Sequence, residues 1–116
     1  MTDIKISSTN QSNKQAIAIK CPVAFTLNKI GGRWKPRIIN CLLSGPKRYG
    51  ELKRAIVPIT EKMLIQSLKE LEADNLIIRK AKAVVPPHVE YSLSECGMDL
   101  SPVLVSMKDW AFKYNV

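Results

Sequence analysis

The chain is poor in the residues from which catalytic and metal centres are built. Its 116 residues include one histidine, His88, and three cysteines, Cys21, Cys41 and Cys96. An odd set of widely spaced cysteines makes neither a disulfide framework nor a zinc motif. A single histidine leaves little for a metal site or a Ser-His-Asp triad, and no nucleophile, base and orienting group can be named together. The expectation is a protein that is not an enzyme and needs neither cofactor nor metal. Runs of about 18 apolar residues, the length of a membrane span, are missing too. The first residues lack the apolar core and cleavage site of a signal peptide, so a cytoplasmic protein without a membrane partner is expected. Internal repeats are absent.

What is present is 46% hydrophobic and 24% charged residues, ordinary for a chain that folds around one core. The net charge of +8 is local in origin. Lys29, Arg33, Lys35, Arg37, Lys47, Arg48, Lys53 and Arg54 stand against Glu51 alone, whereas acids and bases nearly balance from residue 55 onward. Such a patch favours a polyanion, nucleic acid before an anionic membrane surface; a solvated face kept for solubility is the other reading of the same charges.

Residues 1–20 are rich in Ser, Thr, Asn, Gln and Lys and read as a flexible arm, leaving 21–116 as the folded domain. Pro22 suits the first turn of a helix that ends at Gly31-Gly32, with Val23, Leu27 and Ile30 as its apolar stripe. A second helix is predicted over 35–44, stopped by Gly45-Pro46, and a short third over 49–55 with Leu52 and Ile56 inward. Thr60 can cap a fourth helix, 61–74, that buries Leu64, Leu68 and Leu71 and turns Lys62, Gln66 and Lys69 outward. Asn75 can close it in a left-handed conformation.

The period then changes to two. Residues 76–80 and 88–93 read as the strands of a hairpin with a proline-stiffened tip, Val89, Tyr91 and Leu93 on one side of the second strand and His88, Glu90 and Ser92 on the other. A last helix follows Ser94, with Pro102 inside it or between a short first turn and a longer second piece. The fold class is mainly α with a small β-hairpin, α+β: a winged helix-turn-helix with terminal dimerisation helices.

The run Cys21-Pro22-Val23, then Ile30-Gly31-Gly32-Arg33-Trp34, then 45–52 from Gly45-Pro46 to Glu51-Leu52, closely resembles the HxlR-type regulators. So do 68–74, 85–93, and Pro102-Val103-Leu104 with Trp110; the likeness spans roughly 21–113 in unbroken order. This resemblance implies a dimeric, DNA-binding transcription regulator related to the MarR-type proteins. Two departures are Asn75, where the family usually has glycine, and Pro36 after the Gly-Gly-Arg-Trp run. Both are compatible with the fold, Pro36 because the first helical turn needs no amide hydrogen there.

The fourth helix is then the recognition helix, with Thr60, Lys62, Met63 and Gln66 as base-contact candidates and Lys69 nearer the backbone. Gln66 suits adenine, Lys62 suits guanine or phosphate, and Met63 or the Thr60 methyl can meet a thymine methyl. Core filling is the other reading of Met63. Lys35, Arg37, Lys47, Arg48, Lys53 and Arg54 are phosphate-anchor candidates, and Lys80, Lys82 and His88 belong to the wing. Trp34 is expected between the first two helices. An apolar stripe of Leu100, Val103, Leu104, Met107, Trp110, Ala111 and Tyr114, with Val23 and Leu27, is expected to form a homodimer interface, hence an inverted-repeat operator. Cys21, after Lys20 and at a helix start, has two features that favour a reactive thiol, and some relatives sense oxidants or electrophiles through a cysteine there. An unreactive packing cysteine is the alternative, and Cys41 and Cys96 read as core or near-core. The rival to a DNA regulator is a winged-helix module that grips protein or RNA and binds nucleic acid nonspecifically. Nothing in the chain identifies a small-molecule effector.

Overall fold

The computed structural model describes residues 21–86 and 88–115. The expected arm, residues 1–20, lies outside the described residues, as do Pro87 of the hairpin tip and Val116. The chain divides into two compact units, 1–32 and 33–116.

In the first unit Cys21 is extended and Pro22 opens α1, Pro22–Ile30. Proline costs nothing there because the first amide hydrogens of a helix have no partner within it. Thr26 Oγ1 donates back to the Pro22 carbonyl at 3.0 Å, and the Lys29 ammonium lies 5.5 Å from the centre of the Phe25 ring. The Gly31 amide closes the helix by donating to Leu27 O at 2.7 Å. Val23, Phe25 and Leu27 remain exposed.

The second unit begins with α2, Lys35–Leu42, which carries Pro36 in its first turn and buries Ile38, Ile39 and Leu42. It ends two residues short of the predicted 44. The Leu43 amide is shared between the carbonyls of Ile39 and Asn40, and Ser44 Oγ donates to Cys41 O at 3.1 Å, which tightens the last turn. The chain then forms β1, Lys47–Arg48, and α3, Tyr49–Ala55. The Arg48 amide donates to Glu51 Oε1 at 2.9 Å, so an acidic side chain satisfies a donor at the start of α3. Helix α4, Glu61–Ala73, begins as predicted, with the Met63 amide donating to Thr60 Oγ1 at 3.1 Å. Asn75 follows at φ 61 and reverses the chain.

Strands β2, Ile77–Lys82, and β3, His88–Leu93, pair antiparallel from Ile77 opposite Leu93 to Lys82 opposite His88. The ladder carries β2 two residues beyond the predicted end at Lys80. The second strand alternates as read, and all six of its residues are half-buried. Strand β1 pairs on the far side of β3, placing β3 at the centre of a three-stranded sheet in the order β1-β3-β2.

After Ser94 the chain makes two helices, α5, Glu95–Met98, and α6, Ser101–Tyr114, with Pro102 in the first turn of the second. The junction is close-fitting. The Ser94 amide donates to Leu76 O at 3.1 Å, its hydroxyl donates to Asn75 O at 2.6 Å with Leu76 O also within reach at 3.1 Å, and the Gly97 amide donates to Ser94 Oγ at 3.0 Å. A Cβ on Gly97 would run into that same Leu76 carbonyl, so only glycine lets α5 lie against the start of β2.

The core of this unit is Ile38, Ile39, Leu42, Leu52, Ile56, Ile59, Leu64, Leu68, Leu71, Leu76, Ile77 and Leu104. Burying each such side chain contributes about 1.5–3 kcal/mol. Two expectations are corrected here. Leu104, expected at a subunit interface, is 3% exposed and belongs to its own core, on a helix packed against α2. Cys96, expected near the core, is exposed on α5; Cys41 is half-buried as expected, and burial raises its thiol pKa despite the opposing charges of Arg37 and Lys47.

Candidate nucleic-acid interface

Helix α4 buries Leu64, Ser67, Leu68 and Leu71 along one side. At about 100° per residue, Lys62, Gln66 and Lys69 fall nearly opposite that side, and all three are exposed. Together with Ile65 and Glu70 they line one shallow depression of about 390 Å³. Three of the predicted base and backbone candidates are thus brought together on one surface. Thr60 is exposed, but its hydroxyl oxygen serves as the helix cap, and Met63 is half-buried.

Glu70 organises this surface. Its Oε1 accepts an ion pair from Lys35 Nζ of α2 at 2.7 Å, and its Oε2 accepts a hydrogen bond from Gln66 Nε2 at 3.1 Å. One carboxylate on the outward side of α4 therefore ties α2 to α4 and orients the Gln66 amide. Arg37, also expected at a phosphate, donates to the Val57 carbonyl at 3.0 Å and lies 5.6 Å over the Trp34 ring. Arg33 covers the same ring at 4.7 Å. Each such pairing is worth roughly 0.5–1 kcal/mol at the surface. The structure thus gives Lys35 and Arg37 internal partners.

The remaining basic candidates form a second group. Arg48 and Arg54 are exposed, Lys47 and Lys53 half-buried. In the sheet register Arg48, Glu90 and Lys80 stand directly opposite one another, and Lys82 stands opposite His88. Alternation along each strand then puts Arg48, Lys80, Lys82, His88 and Glu90 on one face. On it Arg48 Nη2 meets His88 Nδ1 at 3.1 Å and Lys82 Nζ pairs with Glu90 Oε1 at 3.3 Å. His88 Nε2 is enclosed 3.6 Å from Glu90 Oε2, beyond hydrogen-bond reach. Arg48, predicted as an anchor near α3, is therefore part of the wing face. Sequence reasoning missed that link because two residues carry no periodicity. Exposed Arg79, on the opposite face of β2, was missed as well.

The Tyr49 hydroxyl, at the start of α3, is enclosed without a hydrogen-bond partner among the described residues. Its pKa is raised, first by burial and then by Glu61 and Tyr91. Cys21 is exposed immediately before α1. Of the residues expected between subunits, Val23, Leu27, Val103, Met107, Trp110 and Tyr114 are exposed, while Leu100 and Ala111 are half-buried. Val105, Phe112 and Phe25, which the periodicity reading did not include, are exposed too. Among the described residues no helix is long and apolar enough to cross a membrane.

A short helix, a tight turn, a second helix with a polar outward side and a three-stranded wing define a winged helix-turn-helix transcription regulator. More narrowly, the chain belongs to the HxlR-like helix-turn-helix family, whose pattern its residues 29–116 match. It is 48% identical over 95 residues to the HTH-type transcriptional regulator YdeP of Bacillus subtilis (strain 168), covering 82% of this chain and 74% of that one. The solved structure of the redox regulator HypR in its oxidized form superposes with a TM-score of 0.79 at 44% identity, covering 83% of this chain and 99% of that one. The reduced form of the transcriptional regulator YodB from B. subtilis superposes with a TM-score of 0.72 at 36% identity, covering 82% and 94%. Membership of a helix-turn-helix regulator family implies that the protein binds DNA and points away from an enzyme.

Proposed function

We propose that the protein is a homodimer that binds duplex DNA sequence-specifically and regulates transcription by occupying an inverted-repeat operator. A major groove about 12 Å wide admits one helix, and α4 is the helix offered to it. The observation that carries this reading is the outward surface of α4, where Lys62, Gln66 and Lys69 line one depression away from the core. Gln66 reads a base edge, Lys62 contacts guanine or phosphate, and Lys69 meets the backbone, with Thr60 and Met63 at the helix start. Lys47, Lys53 and Arg54 anchor phosphates beside α3, with Lys35 and Arg37 holding the scaffold. Arg48, Lys80, Lys82 and His88 give the wing a basic face for the adjacent minor groove or its phosphates.

The dimer is supported by the exposed apolar residues of α1 and α6, Trp110 at 65% and Val23 at 68% among them, which water leaves unsatisfied. A two-fold dimer presents its two α4 helices to half-sites about 34 Å apart, or a multiple of that. The likeness to HypR and YodB, the first described as a redox regulator, supports an oxidant response through the exposed Cys21. A hydroperoxide would take two electrons from the Cys21 thiolate as its O–O bond breaks, leaving a sulfenic acid and releasing an alcohol.

Selection of bound duplexes from a random pool, followed by binding at about 0.15 M salt, tests the assignment. Gln66→Ala should relax sequence preference at one position of each half-site, and Lys53→Ala should weaken binding to every sequence alike. Equal affinity for selected and random duplexes would instead identify a nonspecific module. Failure of Cys21 in the folded protein to react with iodoacetamide at neutral pH would remove the oxidant response.

A further inference from the structure

Ile65 is the one large apolar side chain exposed on α4 among the described residues, at 41%. It lies about 100° around the helix from Leu64 and about 60° from Leu68, at the border of the buried side, and shares its depression with Lys62, Gln66, Lys69 and Glu70. A single exposed aliphatic side chain is ordinary on a protein surface; what distinguishes Ile65 is its place in one depression with two lysines and the Gln66 amide. The two lysines set the charge of the occupant, a polyanion, and the position of Ile65 beside Gln66 sets its chemistry. Of the groups on the floor of the major groove, only the thymine 5-methyl is apolar.

We infer that Ile65 is a specificity-determining residue that packs against a thymine methyl, adjacent to the base read by Gln66. Thr60 and Met63 are the other apolar groups near the helix start. Thr60 is tied to the Met63 amide as a cap, and Met63 is half-buried, whereas Ile65 is presented outward. Glu70 completes the device as a positioning residue. By holding Gln66 Nε2 on one oxygen and Lys35 Nζ on the other, it fixes the amide beside Ile65 before DNA arrives. Fixing a side chain in advance reduces the entropy lost on binding. The pair then reads thymine through a contact that distinguishes it from every other base, next to a hydrogen-bonded partner.

This inference rests on the proposed insertion of α4 into the major groove, and uracil chemistry separates the two. In a duplex selected by the wild-type protein, each thymine is replaced singly by deoxyuridine, which removes only the methyl group. One thymine per half-site should lose about fourfold in affinity, the worth of one methyl-sized apolar contact. The Ile65→Ala protein should bind the thymine and uracil duplexes equally, and Ile65→Val should retain part of the difference. Thermal unfolding of both variants checks that the exposed substitution leaves the fold intact. Glu70→Ala should reduce discrimination at the Gln66 position, with Glu70→Gln restoring part of it by keeping an acceptor for Gln66 Nε2. If specific binding survives and no uracil substitution distinguishes wild type from Ile65→Ala, the role of Ile65 is overturned while the regulator assignment stands. If the pool yields no enriched sequence, the groove assignment fails and this inference fails with it.

Discussion

The two longest helices differ by one residue in length and almost completely in what they leave exposed. Helix α4, of 13 residues, buries four side chains and shows water a mainly charged and amide surface. Helix α6, of 14 residues, buries Leu104 alone and leaves Val103, Val105, Met107, Trp110, Phe112 and Tyr114 in the open. Trp110 and Tyr114 pack on each other, ring centres 5.3 Å apart, with the Lys113 ammonium 5.3 Å over the Tyr114 ring, and both side chains remain largely exposed. The first pattern suits a helix whose partner is hydrated and charged; the second suits one whose partner is apolar. Helix α4 thus covers most of its apolar residues within its own unit, whereas α6 leaves most of its apolar residues uncovered there, which is what the proposed dimer requires.

That contrast can be broken most severely in the core of α4. Leu64→Ala, at a fully buried position, should cost about 2–5 kcal/mol, with a melting temperature that falls equally at all protein concentrations. Trp110→Asp addresses the open side of α6. It should weaken self-association about 100-fold, seen by sedimentation, while leaving the secondary structure in place. If Trp110→Asp lowered stability as Leu64→Ala does, independently of concentration, α6 would be finished within its own subunit and the comparison would collapse.

A third measurement uses pH. The Cys41 thiol is raised above its ordinary value of 9.0 by burial, and Tyr49 above 10.0 by burial with Glu61 and Tyr91. In both groups the folded chain favours the protonated form. The stability they confer is complete below the unfolded pKa values and is lost as pH climbs through them toward the folded values. Denaturant midpoints should hold steady to about pH 8 and decline above 9, and Cys41→Ser with Tyr49→Phe should flatten the decline. Alkylation at neutral pH should label exposed Cys21 and Cys96 before half-buried Cys41. The smallest effect is expected just after α4, where Asn75→Gly relieves a left-handed residue at φ 61. It should stabilise by a few tenths of a kcal/mol to about 1 kcal/mol, read as a small rise in melting temperature.

Much of the fold was legible in the residues. The cap at Thr60, the helix start after Ser94, the inward leucines of α4, the left-handed Asn75 and the harmless Pro36 are local features, decided within one or two helical turns. The winged order and the outward placement of Lys62, Gln66 and Lys69 follow from periodicity. Less legible were the features that depend on what lies alongside. Strand β1 is two residues long and exists because β3 offers it a partner, so no pattern announces it. Leu104 and Met107 share one apolar stripe in the sequence, and only packing against α2 separates the core residue from the exposed one. Lys35 and Arg37 looked like any other surface bases until Glu70 and the Val57 carbonyl were found beside them.

By itself, then, the sequence determined the order of the helices and the hairpin, most helix boundaries to within about two residues, the inward leucines of α4 and the basic character of the 29–54 stretch, because each is written in neighbouring side chains and in the 3.6 and 2 residue periods. Tertiary structure alone decided which charges are spent on pairs between elements, as Lys35 with Glu70 and Arg37 with the Val57 carbonyl, and which apolar residues stay uncovered. Those depend on distances between residues far apart in the chain, and a one-dimensional pattern holds no record of them.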